Sequence, residues 1–223
     1  MHGIIQIAGV IDQKEAEMLV SAGVHQLGFP LGLAAHKEDI AEKDTAKIIG
    51  SLRPPVSAVL ITYLNEAKKI LDMCKRIGVA KVQLHGDVSN TEIIKLKSLA
   101  PDLGVIKSLI VRDHNLGELE SSVSVFSPYV DSFITDTYDP VTGTCGATGK
   151  THDWDISRRL VEISPRPVIL AGGLRPENVR RAIARVQPAG VDAHTGVEGS
   201  GSRKDTDLVK RFVKEASEAF AGL

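Results

Sequence analysis

The chain has 223 residues, 43% of them hydrophobic, and its 27 basic and 28 acidic side chains leave a net charge of −1. That length and apolar content support one sizeable core, as in single α/β barrels, while the cancelled charge leaves no long-range field to draw nucleic acid or an anionic membrane. No apolar run approaches the ~18 residues of a membrane span, and the start MHGIIQIAG has neither a basic segment before its apolar residues nor, with His2 in second place, a myristoylation pattern.

Short β-prone runs recur along the whole chain: IIQIA from Ile4, HQLGF from His25, VSAVLI from Val56 and AKVQLH from Ala80. GVIKSLIV from Gly104, DSFIT from Asp131, PVILA from Pro167 and GVDAH from Gly190 follow. Their starts lie 21, 31, 24, 24, 27, 36 and 23 residues apart, each close to one βα unit. The intervening segments have helical period. NEAKKILDMCKRIG puts Ile70, Met73 and Ile77 on one face. Ser89 or Asn90 can cap the fourth helix, Asn115 to Phe126 reads as the fifth, and Pro176 suits the first turn of the seventh. Gly23 and Gly78 stand where helices stop. Eight alternations without a linker predict a single (βα)8 TIM barrel over residues 1–223, with a doubly wound open sheet as the alternative.

In a barrel, the loops at the strands' C-terminal ends carry the site. The longest interval holds GTCGATGKTHDW, Gly143 to Trp154, which approaches the nucleotide loop G-x-x-x-x-G-K-[ST] but has Thr144 where the first glycine is required. After the seventh strand come Gly172, Gly173 and Leu174, with a helix opening at Pro176 to Val179; after the eighth come Thr195, Gly196 and Val197. Paired glycines admit a ligand to the backbone, and helix starts offer free N–H groups. Together the two loops predict a phosphate site; singly, each could be a tight turn. Asp136, ending the sixth strand, can exchange a proton over the mouth or cap the loop after it. His85 and His194 end the fourth and eighth strands. With Asp136 and Asp192 they could meet at a metal, but no local ligand spacing supports one, and no metal or cofactor is expected. Cys74 and Cys145 show no redox or metal spacing either, so a reducing cytoplasm is the simplest location. Basic pairs such as Arg180–Arg181 read as solvated helix faces.

These motifs together resemble the phosphoribosylanthranilate isomerase family of tryptophan biosynthesis. Val82-Gln83-Leu84-His85-Gly86 is similar to its fourth-strand signature, and Val105-Ile106-Lys107 with Val111-Arg112 resembles its fifth. Gly146-Ala147-Thr148-Gly149-Lys150 through Asp153-Trp154 is similar to the family's Gly-Gly-Thr-Gly-Lys…Phe-Asp-Trp, with Ala147 and His152 as departures. Leu170 to Leu174 with Pro176 to Val179, Gly190 to Asp192, Gly196 to Glu198 and Lys204-Asp205 also fit. The glycine-rich stretch is then a loop over a sugar-phosphate site, not an ATP loop.

The resemblance implies an Amadori rearrangement of an N-phosphoribosyl amine, with Asp136 as general acid, a small phosphorylated substrate, and a monomer or homodimer. His36, Lys37, His85, Gly149 and His194 fall at substrate-facing positions. It also implies a base the chain lacks: the family's Lys-Ile-Cys-Gly reads Gln6-Ile7-Ala8-Gly9 here. The arginine after the second strand, expected to hold a carboxylate, is missing too, with only His36 or Lys37 nearby, and the paired serines after the eighth strand are His194 and Thr195. Cys145 is a candidate replacement base. Three readings follow: an isomerase with altered base chemistry, a barrel acting on another phosphorylated molecule through His36 or His194, and a non-catalytic phosphosugar binder.

Overall fold

The computed structural model describes residues 3–33, 39–139, 144–145 and 149–223, with backbone alone at 139, 144 and 145. Strands β1 (Ile4–Ala8), β2 (Gln26–Pro30), β3 (Ser57–Thr62), β4 (Lys81–Leu84), β5 (Gly104–Val111) and β6 (Ser132–Asp139) pair in parallel, each with the next. A two-residue β7 (Thr144–Cys145) folds back antiparallel onto the end of β6. Beyond it, β8 (Val168–Leu170) pairs with β6, β9 (Gly190–Ala193) with β8, and β1 closes on β9. The eight parallel strands form a complete ring, so the doubly wound alternative, which needs two free edges, is excluded. Helices α1 (Gln13–Ser21), α2 (Glu42–Ser51), α3 (Ala67–Ile77), α4 (Asn90–Leu99), α5 (Leu116–Phe126), α6 (Trp154–Ile163), α7 (Val179–Val186) and α8 (Thr206–Ala221) each follow a barrel strand.

Local sequence explains these elements. Helix α3 buries Ala67, Ile70, Met73, Cys74 and Ile77 on one stripe, and Gly78 ends it in the left-handed region at φ 73°. Ser89 caps α4 by accepting from the Glu92 N–H. Two boundaries differ from the sequence reading. Pro176 lies in the turn before α7, whose cap is Asn178. Strand β6 runs four residues past DSFIT because Tyr138 and Asp139 pair with β7, and a two-residue ladder leaves no periodicity to detect.

Alternation sorts the strand side chains into two layers. Ile5, Ile7, Leu27, Phe29, Val82 and Leu84 face the helices in the larger core. Ala8, Val59, Ile61, Ile106, Ile134, Ile169 and Ala171 form a separate cluster inside the barrel. Gln6 belongs to that interior too, since its amide donates to Gln83 Oε1 at 3.1 Å although β1 and β4 are not neighbours. By the same alternation His85, Asp136 and Asp192 face inward, towards the C-terminal mouth, where His194 follows the end of β9.

Candidate functional site

Three loops meet at one side of the mouth, and glycines let them touch. A Cβ on Gly173 (φ 62°) would lie 2.5 Å from the Lys150 carbonyl carbon and 2.7 Å from the Thr151 nitrogen. One on Gly196 would collide with the Leu174 carbonyl, and one on Gly172 (φ 98°) with the Thr137 hydroxyl. Gly149 comes within ordinary contact of Thr195, 3.5 Å from a Cβ to the hydroxyl. The loops after β7, β8 and β9 therefore share a wall of bare backbone. Among the described residues, the N–H groups of Gly172, Gly173, Leu174 and Gly196 donate no hydrogen bond. Asn178 fastens the loop after β8 from below: its Oδ1 accepts from the Arg175 N–H at 2.9 Å, and its Nδ2 donates to the Gly173 carbonyl at 3.0 Å. Unpaired N–H groups at adjacent turns beside a helix start make an anion cradle. The Leu174 and Val197 side chains are buried in the core, so Leu174 meets the mouth only through its backbone, while Val197, expected at the phosphate, spends its N–H on the His194 carbonyl and its carbonyl on the Asp205 N–H.

His152 braces the loop that follows β7. Its Nδ1 lies 2.9 Å from the Thr137 hydroxyl and its Nε2 2.6 Å from the Ser157 hydroxyl. Burial pushes the imidazole down to about 4, so it stays neutral and ties β6 to α6.

Asp136 sits deep in the mouth. Burial raises its carboxyl above the ordinary range, against the opposing pull of His85 and of the Thr137 N–H that donates to its Oδ1 at 2.8 Å. His85 Nδ1 lies 3.1 Å from the Ser108 hydroxyl. Asp192 is pushed up to about 7, first by burial and then by the charge of Asp136, with Gln6 and Lys204 opposing. Its Oδ1 is buried without a hydrogen-bond partner among the described residues. A carboxyl held protonated near neutrality can give a proton to a substrate oxygen.

The end of β1 is built differently. Ala8 lies within the inner apolar cluster and carries no group that exchanges protons. Next to it, the His194 imidazole covers Gly9 so closely that a Cβ there would collide with Nε2. The same Nε2 lies 3.4 Å from Glu198 Oε1, which takes a 2.7 Å ion pair from Lys204 Nζ. The Lys204 side chain is 0% exposed. Its backbone N–H donates to Glu15 at 2.8 Å, and Glu198 and Lys204 are bridged antiparallel, so the pair is fixed from both sides.

The structure thus brings together Gly149, Gly172, Gly173, Leu174, Thr195, Gly196 and Val197 on one side, with Asp136, His85 and His194 inside the mouth. Cys145 stands on β7, paired with Tyr138, and its side chain lies outside the described residues, as do His36 and Lys37 entirely. Among the described residues no three His, Cys, Asp or Glu side chains gather as metal ligands, and no helix is long and apolar enough to cross a membrane. Sequence reasoning missed the His152 brace and the burial of Lys204 against Glu198. Spacing alone could have suggested the second, because Glu198 and Lys204 flank a Gly/Ser-rich hairpin. An open crevice of about 750 Å³ lies beside the mouth, lined by Lys150, Trp154, Arg175, Arg181 and Arg185 and not by inward-facing strand residues.

The chain matches the family model described as N-(5'phosphoribosyl)anthranilate (PRA) isomerase over residues 5–215. It is 38% identical over 218 residues to N-(5'-phosphoribosyl)anthranilate isomerase 2 of Methanosarcina mazei, covering 97% of this chain and 95% of that one. It is 33% identical to the N-(5'-phosphoribosyl)anthranilate isomerase of Haloferax volcanii, with 96% and 93% covered. The crystal structure of phosphoribosyl anthranilate isomerase from Thermotoga maritima superposes with a TM-score of 0.82 at 31% identity, covering 99% of this chain and 100% of that one. A phosphoribosyl anthranilate isomerase in complex with reduced 1-(o-carboxyphenylamino)-1-deoxyribulose 5-phosphate superposes at 0.80 and 28% identity, again covering 99% and 100%.

Proposed function

The chain belongs to the N-(5'-phosphoribosyl)anthranilate isomerase family, and from that premise we propose that it rearranges N-(5'-phosphoribosyl)anthranilate to the 1-amino-2-ketose phosphate. The observation that carries this reading is a partly buried carboxyl, Asp136, at the mouth of a barrel whose neighbouring loops present unpaired N–H groups.

The phosphate of the substrate takes the cradle formed by Gly172, Gly173, Leu174 and Gly196, where main-chain donors need no side chain to recognise it. That anchor directs the ribose towards the strand ends. Asp136, whose carboxyl burial raises above the ordinary range, gives a proton to the furanose ring oxygen, and the ring opens as the nitrogen lone pair forms a protonated Schiff base at C1. The positive nitrogen acidifies the C2–H bond. Removing that proton yields an enolamine, which becomes the aminoketose. The phosphorylated product analogue bound by a structural relative matches this substrate class.

The test is growth. A tryptophan auxotroph lacking this isomerisation step grows without tryptophan when it carries the chain, and does not grow when it carries Asp136→Asn. Absence of growth with the wild-type chain, expressed and soluble, contradicts the proposal.

A further inference from the structure

The family's mechanism leaves one position empty in this chain, because Ala8 stands where a strand-one side chain would take the C2 proton. We infer that His194 is the catalytic base, working from the end of β9 across the gap left by Ala8. The inference rests on the isomerase reading above.

Strand register supplies the first argument. Gln6 stands opposite Asp192 where β1 pairs with β9. That pairing ends at Ile7 and Ala193, and His194, which leaves the strand at φ −126° and ψ −87°, comes next to the Ala8–Gly9 end of β1. The second is the space itself. The imidazole occupies the volume directly over Gly9, which a side chain at that residue would fill. An imidazole delivered from the adjoining strand thus stands over Gly9, next to the position that Ala8 leaves without a proton acceptor.

The third argument is how the ring is held. Nε2 lies 3.4 Å from Glu198 Oε1, and a neutral ring that carries its proton on Nε2 presents it to that carboxylate and leaves its lone pair on Nδ1. Among the described residues Nδ1 makes no hydrogen bond. Glu198 is locked in turn by the buried Lys204 ammonium at 2.7 Å, a carboxylate–imidazole arrangement that orients a base. With 27% of its side chain exposed, the ring is open to a ligand on one side. Burial and the Lys204 charge push the imidazole down to about 3, which keeps it unprotonated at neutral pH and also weakens it as a base.

The steps balance without a co-reactant. Asp136 protonates the ring oxygen, and the C4–C1 oxygen bridge opens at C1. His194 Nδ1 then takes the C2 proton, and the C–H electron pair becomes the C1=C2 bond of the enolamine as nitrogen regains its lone pair. The imidazolium delivers that proton to C1, while the C2 hydroxyl returns its own to the Asp136 carboxylate. Both groups end as they began.

Steady-state turnover of N-(5'-phosphoribosyl)anthranilate by the wild type, His194→Ser, His194→Asn, Ala8→Cys and the double variant Ala8→Cys/His194→Ser tests the assignment. Each protein is first shown to melt cooperatively and to bind the reduced product analogue. Loss of a positioned base lowers kcat by about 10²–10⁴. Both His194 variants are expected to lose that much with KM changed less than about threefold, since the group acts in the transition state. Ala8→Cys alone changes little because the imidazole already serves as the base, whereas in the His194→Ser background it recovers at least about tenfold. His194→Ser and His194→Asn at the wild-type kcat overturn the assignment while leaving the isomerase reading standing. Wild-type protein that binds the analogue but never turns the substrate over overturns both.

Discussion

Where the loops after β8 and β9 meet, the ligand-facing groups are backbone N–H donors whose positions depend on glycines and on one cap, Asn178. Beside them, at the ends of β1 and β9, everything depends on side chains: Ala8, His194 and the Glu198–Lys204 pair behind it. The first region carries the glycines of the resembling motifs, and the second carries Ala8 and His194, which depart from them. A cradle of main-chain amides tolerates side-chain change but not a Cβ in the wrong place, so its sequence is held by sterics. A proton acceptor needs only to reach a point in space, and the next strand of a closed ring can supply it as well as the original one.

The largest expected effect tests the acid, which both regions serve. Asp136→Asn keeps the shape and removes the proton, and kcat falls by about 10²–10⁴ with little change in analogue binding. A fall below about fivefold removes Asp136 from the chemistry. Next comes the pair behind His194. Lys204→Met leaves Glu198 buried without its partner and costs about 3–5 kcal/mol in urea unfolding, most of it restored in Lys204→Met/Glu198→Gln. Equal loss in the double variant would mean that packing, not charge, sets the cost.

The cradle is probed more gently. Gly173→Ala brings a Cβ to 2.5 Å from the Lys150 carbonyl carbon at φ 62°, a strain of about 1–3 kcal/mol. It should raise KM about tenfold and leave kcat within about threefold. A change confined to kcat would place the glycine in the chemistry instead. The smallest effect is on pH. His152 is held neutral down to about 4 in the folded protein, whereas the unfolded side chain takes a proton near its ordinary 6.5. Between those values the unfolded state binds the extra proton, so stability falls as pH drops from about 6.5 towards 4. His152→Phe should flatten that part of the stability–pH curve measured by denaturant titration. An unchanged slope would assign the acid sensitivity elsewhere.

Much of the barrel was readable because β-prone runs and helical stripes repeat at one βα unit, and β5 is found where its run begins and ends. The cradle was readable for a related reason, since only paired glycines permit such close backbone approach. The side-chain region was not. Nothing in the string Asp192-Ala193-His194 shows that its imidazole covers Gly9, because that contact joins the first strand to the last and depends on ring closure. Lys204 stood beside Asp205 in one of the resembling motifs, but its burial against Glu198 follows only once the Gly/Ser-rich hairpin between them folds. Long-range pairings of single side chains carry no period, so local patterns do not announce them.

The account stands on phosphate capture by the amides after β8 and β9. Calorimetric titration of the wild-type protein with reduced 1-(o-carboxyphenylamino)-1-deoxyribulose 5-phosphate, repeated in millimolar inorganic phosphate, reads that capture directly. One analogue per chain, bound in the absence of phosphate and weakened in proportion to the phosphate added, is the predicted result. No binding, or binding indifferent to phosphate, would contradict it.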